Sequence, residues 1–279
     1  MFKPDISKSN VWILKLVLLL SLFSAYTFGQ VPKDAMPAHA TLTIDSHVLG
    51  EQRRINVWLP EEYPSGGDEL PILYMADGGI AEDFPHLANT LADLIANQVI
   101  PPMMLVGIEN IQRRKDLTGP TTVKEDLQIA PVVGHSALFR SFIATELMPE
   151  VEMRYRHNGK KGLIGESLAG LFVIETFLIE PQLFDYYIAF DPSLWWNKHH
   201  LLDQSTSYLA KFPQQEKKLW FASSHTEEIY GYSKQFAERL TRAKLPALDW
   251  VYCDEPAEQH HTIFRATEEK ALRWMFEVK

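Results

Sequence analysis

The sequence predicts an α/β fold: a mostly parallel, doubly wound sheet with an antiparallel hairpin at its N-terminal edge. Three observations predict it. Two alternating runs open the folded part of the chain, six apolar β-rich runs follow without alternation, and segments of helical period lie between those six. ATLTIDSHVLG and RRINVWLP flank Gly50-Glu51-Gln52, the layout of a hairpin. The runs LPILYMA (70–76), PMMLVGI (102–108), KGLIGE (161–166), YYIAFD (186–191), KLWFASS (218–224) and LDWVYCD (248–254) suit strands buried on both faces. Helical period is found over 86–97, 137–152, 168–179, 231–243 and 266–277. The polar stretch 109–136 is too long for a simple crossover loop, and loops of that length in compact domains are usually functional.

Composition narrows the function classes. With 46% hydrophobic and 23% charged residues, the chain is an ordinary globular protein. A net charge of −9 without a long basic run argues against nucleic acid or an anionic membrane as the main partner. The ten histidines are scattered, not set at metal-ligand spacing, and Cys253 stands alone, so neither a disulfide within the chain nor a zinc ribbon can form. No metal or organic cofactor is implied. At the N-terminus, Lys3 and Lys8 precede the apolar stretch 11–28, which only Lys15 interrupts. That layout reads as a signal peptide over residues 1–29, leaving 30–279 as a single exported domain, periplasmic or secreted. The competing reading is a membrane anchor, since a bilayer span needs about 20 apolar residues. Lys15 shortens the clean run and favours cleavage, after which no stable membrane insertion is expected.

The stretch GLIGESLAGLF (162–172) carries the chemistry. Ser167 falls between a buried strand and an apolar helix, where a strained turn would lift its hydroxyl above the sheet. The helix start would present the Leu168 amide to developing negative charge. The pattern G-x-S-x-G is broken by Ala169, with Gly170 following, and a helix-cap serine is the plain alternative. A serine nucleophile needs a base, and His260 and His261 follow the last strand. It also needs an acid. Glu227 and Glu228 follow KLWFASS, and Asp191 ends the strand before it. The loop after LPILYMA, Asp77-Gly78-Gly79-Ile80, is the expected source of a second oxyanion amide, from Gly79 or Ile80.

Together these segments resemble the putative esterase family of α/β-hydrolases, the group of enterochelin esterases and esterase D-like enzymes. The resemblance covers nearly all of residues 41–279. HVLGEQRRINVWLPEEY, LPILYMADGG, VGIENIQRRKDLTGP, LFRSFIATELMPEVEMRYR, LIGESLAGLFVIETFLIEPQLFDYYIAFDPSLWWN and EQHHTIF match its segments in the same order. It implies an α/β-hydrolase fold with Ser167 as nucleophile. The family's E-x-H-x-S/T segment implies His260, not His261, as base, and Glu227 fits the acid better than Glu228. The family commonly has histidine and glycine where this chain has Glu166 and Ala169, and serine where it has Asp191. Glu166 therefore adds a negative charge beside the nucleophile. Trp195 and Trp196 are candidates for lining a substrate pocket, with core packing as the plain alternative. Arg113 is expected either to pair with Asp116 and hold its loop or to face an anionic group of the substrate.

The reading is a serine esterase that works through an acyl-enzyme on a small-molecule ester. Siderophore, carbohydrate acyl and small lipid esters all fit. Acyl transfer to an alcohol, or a weakly catalytic binding protein on the same fold, are the alternatives.

Overall fold

The alternating runs pair as β1 (Ala40–Ser46) and β2 (Glu51–Trp58), antiparallel, with Ala40 opposite Val57 and Ser46 opposite Glu51. The computed structural model describes residues 34–63, 67 and 69–278. The leader expected over residues 1–29 lies outside them. The apolar runs become β3 (Leu70–Ala76), β4 (Met104–Ile108), β5 (His157–Glu166), β6 (Tyr186–Phe190), β7 (Lys217–Ser224) and β8 (Leu248–Glu255). The sheet runs in the order β1-β2-β4-β3-β5-β6-β7-β8. Only β1 with β2 and β2 with β4 pair antiparallel; the remaining neighbours are parallel. This is the predicted α/β-hydrolase architecture with its antiparallel edge hairpin.

Burial on both faces explains why the central strands do not alternate in polarity. Successive residues Leu73, Tyr74 and Met75 feed opposite cores. On one face, α1 (Phe84–Ala96) and α9 (Ile263–Phe276) cover Leu73, Ile188 and Trp220. On the other lie α4 (Ser136–Phe142), α5 (Met148–Arg154), α6 (Leu168–Ile179), α7 (Trp196–Leu209) and α8 (Ile229–Ala243). A π-helical turn over Ile143–Leu147 joins α4 to α5, so the helix predicted over 137–152 is present with an irregular middle. Ala35–Lys279 form one compact unit. Among the described residues no helix is long and apolar enough to cross a membrane.

Two features differ from the sequence reading. The polar stretch after β4 is not one long loop, because it contains α2 (Arg113–Leu117) and α3 (Lys124–Ile129). It is tied to the sheet by an ion pair between Arg53 of β2 and Asp116, 2.5 Å apart, both fully buried. Helix α7 was not predicted, since WNKHHLLDQSTSYL has no apolar stripe. Its start is irregular: Asn197, Lys198 and His199 all have left-handed backbone angles, with φ of 51°, 50° and 53°.

Candidate active site

Ser167 occupies the junction between β5 and α6 with φ 60° and ψ −117°, a conformation costly for any residue with a side chain. Hydrogen bonds hold it there. Its amide donates to Phe190 O at 2.9 Å, and its carbonyl accepts from Leu171 N at 2.8 Å and Ser193 N at 3.1 Å. The turn also needs bare backbone on either side. A Cβ on Gly165 would come within 2.7 Å of Ala169, and one on Gly170 within 2.8 Å of Phe190 O. Glycine is therefore required at 165 and 170, and Ala169 fits between them. That accounts for the displaced last glycine of the motif.

His260 stands in the turn between β8 and α9, braced by Thr262, whose Oγ1 accepts the Gln259 amide at 2.9 Å and donates to Glu258 Oε2 at 2.7 Å. Its Nε2 lies 3.0 Å from Ser167 Oγ and its Nδ1 lies 2.9 Å from Asp191 Oδ2. A carboxylate can only accept, so Nδ1 carries the hydrogen and Nε2 of the neutral ring accepts from the serine hydroxyl. His261 is exposed.

The expectation that Glu227 partners the imidazole is not met. Glu227 is exposed in the turn after β7, whereas Asp191, at the end of β6, is fully buried against His260. The end of β7 contributes donors, not the carboxylate: Ser224 N and Ser224 Oγ donate to Asp191 at 2.6 and 2.7 Å. Glu228 caps α8 in a left-handed conformation. Asp191 itself has φ 41°, an angle that aspartate tolerates better than most residues.

The hydrogen bond to Asp191 raises the His260 pKa; burial opposes this, and the charges of Asp191 and Glu166 add to it. Burial pushes the Glu166 carboxyl up to about 7; His260 opposes the rise, and Asp83, Asp191 and Asp77 reinforce it. Glu166 thus changes charge near neutrality beside the serine.

The loop after β3, the expected source of the second oxyanion amide, is more occupied than expected. The Gly78 amide donates to Ile108 O at 2.9 Å, and the Gly79 amide donates to the Glu82 carboxylate at 2.7 Å. Among the described residues, the Leu168 and Ile80 amides meet no acceptor. Asn110 Nδ2 bridges Glu82 and Asp77. Arg113 pairs with Asp77, not Asp116, through Nε at 2.8 Å and Nη2 at 2.6 Å, and reaches Glu166 O at 3.3 Å. The fork geometry of guanidinium and carboxylate selects this partner, and Asp116 is taken by Arg53. Trp196 is buried and donates its indole N–H to Gly119 O at 3.0 Å, while Trp195 is half-buried beside it.

Sequence reasoning missed Ser193, Ser224, Glu82 and Asn110. Ser193 Oγ lies 3.4 Å from Ser167 Oγ, and its signal was its place in the DPSLWW segment. Chemically, a serine, an imidazole and a buried carboxylate in a hydrogen-bonded line form an arrangement that can activate a hydroxyl for attack on a carbonyl.

The sequence model of the family described as Putative esterase matches residues 46–266. The chain is 29% identical over 231 residues to the ferri-bacillibactin esterase BesA of Bacillus subtilis, covering 73% of this chain and 78% of that protein. It is 29% identical over 174 residues to the siderophore triacetylfusarinine C esterase of Aspergillus fumigatus, covering 57% and 58% of the two. Among solved structures, an IroE-like serine hydrolase from Shewanella oneidensis superposes with a TM-score of 0.79 at 27% identity, over 86% of this chain and 80% of that one.

Proposed function

The chain belongs to the putative esterase family, and on that premise we propose that it is a serine hydrolase cleaving siderophore esters through an acyl-enzyme. The observation that carries the mechanism is the line Asp191–His260–Ser167, with hydrogen bonds of 2.9 and 3.0 Å. The names of the relatives support the substrate class.

In this reading Ser167 Oγ attacks the ester carbonyl carbon while its proton passes to His260 Nε2. Asp191 keeps Nδ1 protonated and stabilises the imidazolium that forms. The amides of Leu168 and Ile80 receive the oxyanion, and the Gly79–Glu82 bond fixes the shape of their loop. His260 then returns the proton to the departing alkoxide, which leaves as the alcohol. Water repeats the sequence on the acyl-enzyme, releasing the acid and restoring the serine.

The test is to incubate the protein with bacillibactin and with triacetylfusarinine C, each iron-free and ferric, and follow products by mass spectrometry. The expected product is the substrate plus one water, absent with Ser167→Ala. Turnover retained by Ser167→Ala contradicts the nucleophile. Failure on both siderophores, with a p-nitrophenyl ester still cleaved, contradicts the substrate class alone.

The reading includes export, with residues 1–29 as a cleaved leader and 30–279 as the esterase domain. N-terminal sequencing of the cell-derived protein should find a start near Gln30; a retained Met1 contradicts cleavage.

A further inference from the structure

A cavity of about 430 Å³ opens among α4, α6, α7 and the 119–120 segment; neither Ser167, His260 nor Gly79 lines it. Its walls are apolar and aromatic, with Leu171, Trp196, Leu201 and Tyr208 among them. Its volume is in the usual range for small-molecule sites, roughly 300–1,000 Å³.

The floor is polar and charged. Glu175 is the only charged residue in the apolar helix LAGLFVIETFLI, and it is 7% exposed. Its Oε1 accepts from Ser136 Oγ at 2.6 Å and Arg140 Nη1 at 3.0 Å. Its Oε2 has no hydrogen-bond partner among the described residues, although the residue lines the cavity. A carboxylate oxygen only accepts, so the open Oε2 offers the cavity an acceptor for a donor group of a ligand. Arg140 approaches Glu175 only at Oε1, and its Nε is turned to Glu180 at 2.8 Å, outside the cavity lining, so the guanidinium leaves Oε2 uncovered. Gly119 keeps the oxygen open: a Cβ there would stand 3.2 Å from Oε2 and cover it.

The rim is built as well. Asn197, which lines the cavity, is the first of three successive left-handed residues, a conformation that residues other than glycine seldom adopt even singly. Asn197 N donates to Asp126 Oδ2 at 3.1 Å, and Asn197 Nδ2 donates to Pro120 O at 3.1 Å. Such strain persists only where its surroundings enforce it, and it clusters at ligand clamps.

We infer that this cavity is a binding site separate from the hydrolytic centre, taking a small molecule with an apolar or aromatic body and one ammonium group directed at Glu175 Oε2. The body fills the space between Leu171, Trp196, Leu201 and Tyr208, and the ammonium donates to the open oxygen of Glu175.

The probes are 2-phenylethylamine and its anionic counterpart 3-phenylpropionate, titrated into the full protein by calorimetry. The amine should bind at least about tenfold more tightly than the acid. Ser167→Ala should leave this unchanged, Glu175→Gln should weaken the amine about tenfold, and Leu201→Trp should abolish binding by filling the cavity. Leu201→Trp leaves the Glu175 contacts untouched, so it decides the matter if Glu175→Gln does not fold. Equal affinity for amine and acid, binding that survives Leu201→Trp, or no binding of the amine at about 10 mM overturns the inference.

Discussion

The two sides of the candidate active site are built differently. On the β5–β6–β7 side, Ser167, His260, Asp191 and Ser224 form one hydrogen-bonded line, with each carboxylate oxygen of Asp191 matched to a donor. On the β3–β4 side, the loop after β3 is bound to acidic side chains: Glu82 holds the Gly79 amide, and Asp77 is shared by Arg113 and Asn110. The first side is assembled before any substrate arrives. The second is an ion-paired frame whose amides are only partly free. In the proposed mechanism the nucleophile's readiness therefore depends on strand ends, and oxyanion binding depends on a loop fixed by Glu82 and Arg113.

Removing a member of the assembled line should have the largest effect. Asp191→Asn should lower kcat roughly 10⁴-fold at neutral pH, because an amide can hold the imidazole in the wrong tautomer. Glu227→Gln, on the exposed turn, should leave kcat within about twofold. If the two variants exchange these effects, the assignment of the acid to β6 is wrong.

A smaller effect is expected on the other side. Glu82→Ala releases the Gly79 amide and loosens the loop that carries Ile80. Loss of a whole oxyanion donor costs about 10²–10³ in kcat, so a loosened one should cost about tenfold with KM nearly unchanged. A rise in kcat would instead mean that Glu82 blocks an amide the substrate needs.

The smallest effect joins the two sides. Glu166 ionises at about 7, and its charge helps to hold His260 protonated. The proposed mechanism needs neutral His260, so Glu166→Gln should move the acid limb of the kcat/KM profile to lower pH, by about half a unit. Stability follows from the same shift. The folded pKa of about 7 exceeds the ordinary carboxyl value of 4.5, so ionisation in the unfolded state alone erodes stability between those pH values. Thermal melts of Glu166→Gln and wild type should agree at low pH, with the variant the more stable above neutrality. An unshifted acid limb would place the Glu166 charge out of reach of His260.

This division also marks what was legible in the sequence. Alternating runs, apolar runs and helical period locate every strand among the described residues and five helical segments, because burial leaves a pattern in the order of residues. Ser167 and the pair His260–His261 were legible because a strand-to-helix turn and a position after the last strand are local features, and the resemblance to the family's E-x-H-x-S/T segment separated the two histidines. The acid was not legible. Asp191, Glu227 and Glu228 all follow strands, and only the packing of β6 beside β7 brings Ser224 to Asp191. Glu82 and Asn110 gave no signal, since a carboxylate three residues past a glycine pair looks like a solvated turn. Helix α7 escaped because its left-handed start and mixed polarity erase the period.

The most direct test is the position of a fluorophosphonate adduct on the native protein. Two serine hydroxyls lie 3.4 Å apart at this site, Ser167 and Ser193, and only Ser167 touches the imidazole. Peptide mapping should find one adduct, on Ser167, and none when His260 is replaced by alanine. An adduct on Ser193, or labelling of Ser167 that persists without His260, would contradict the account.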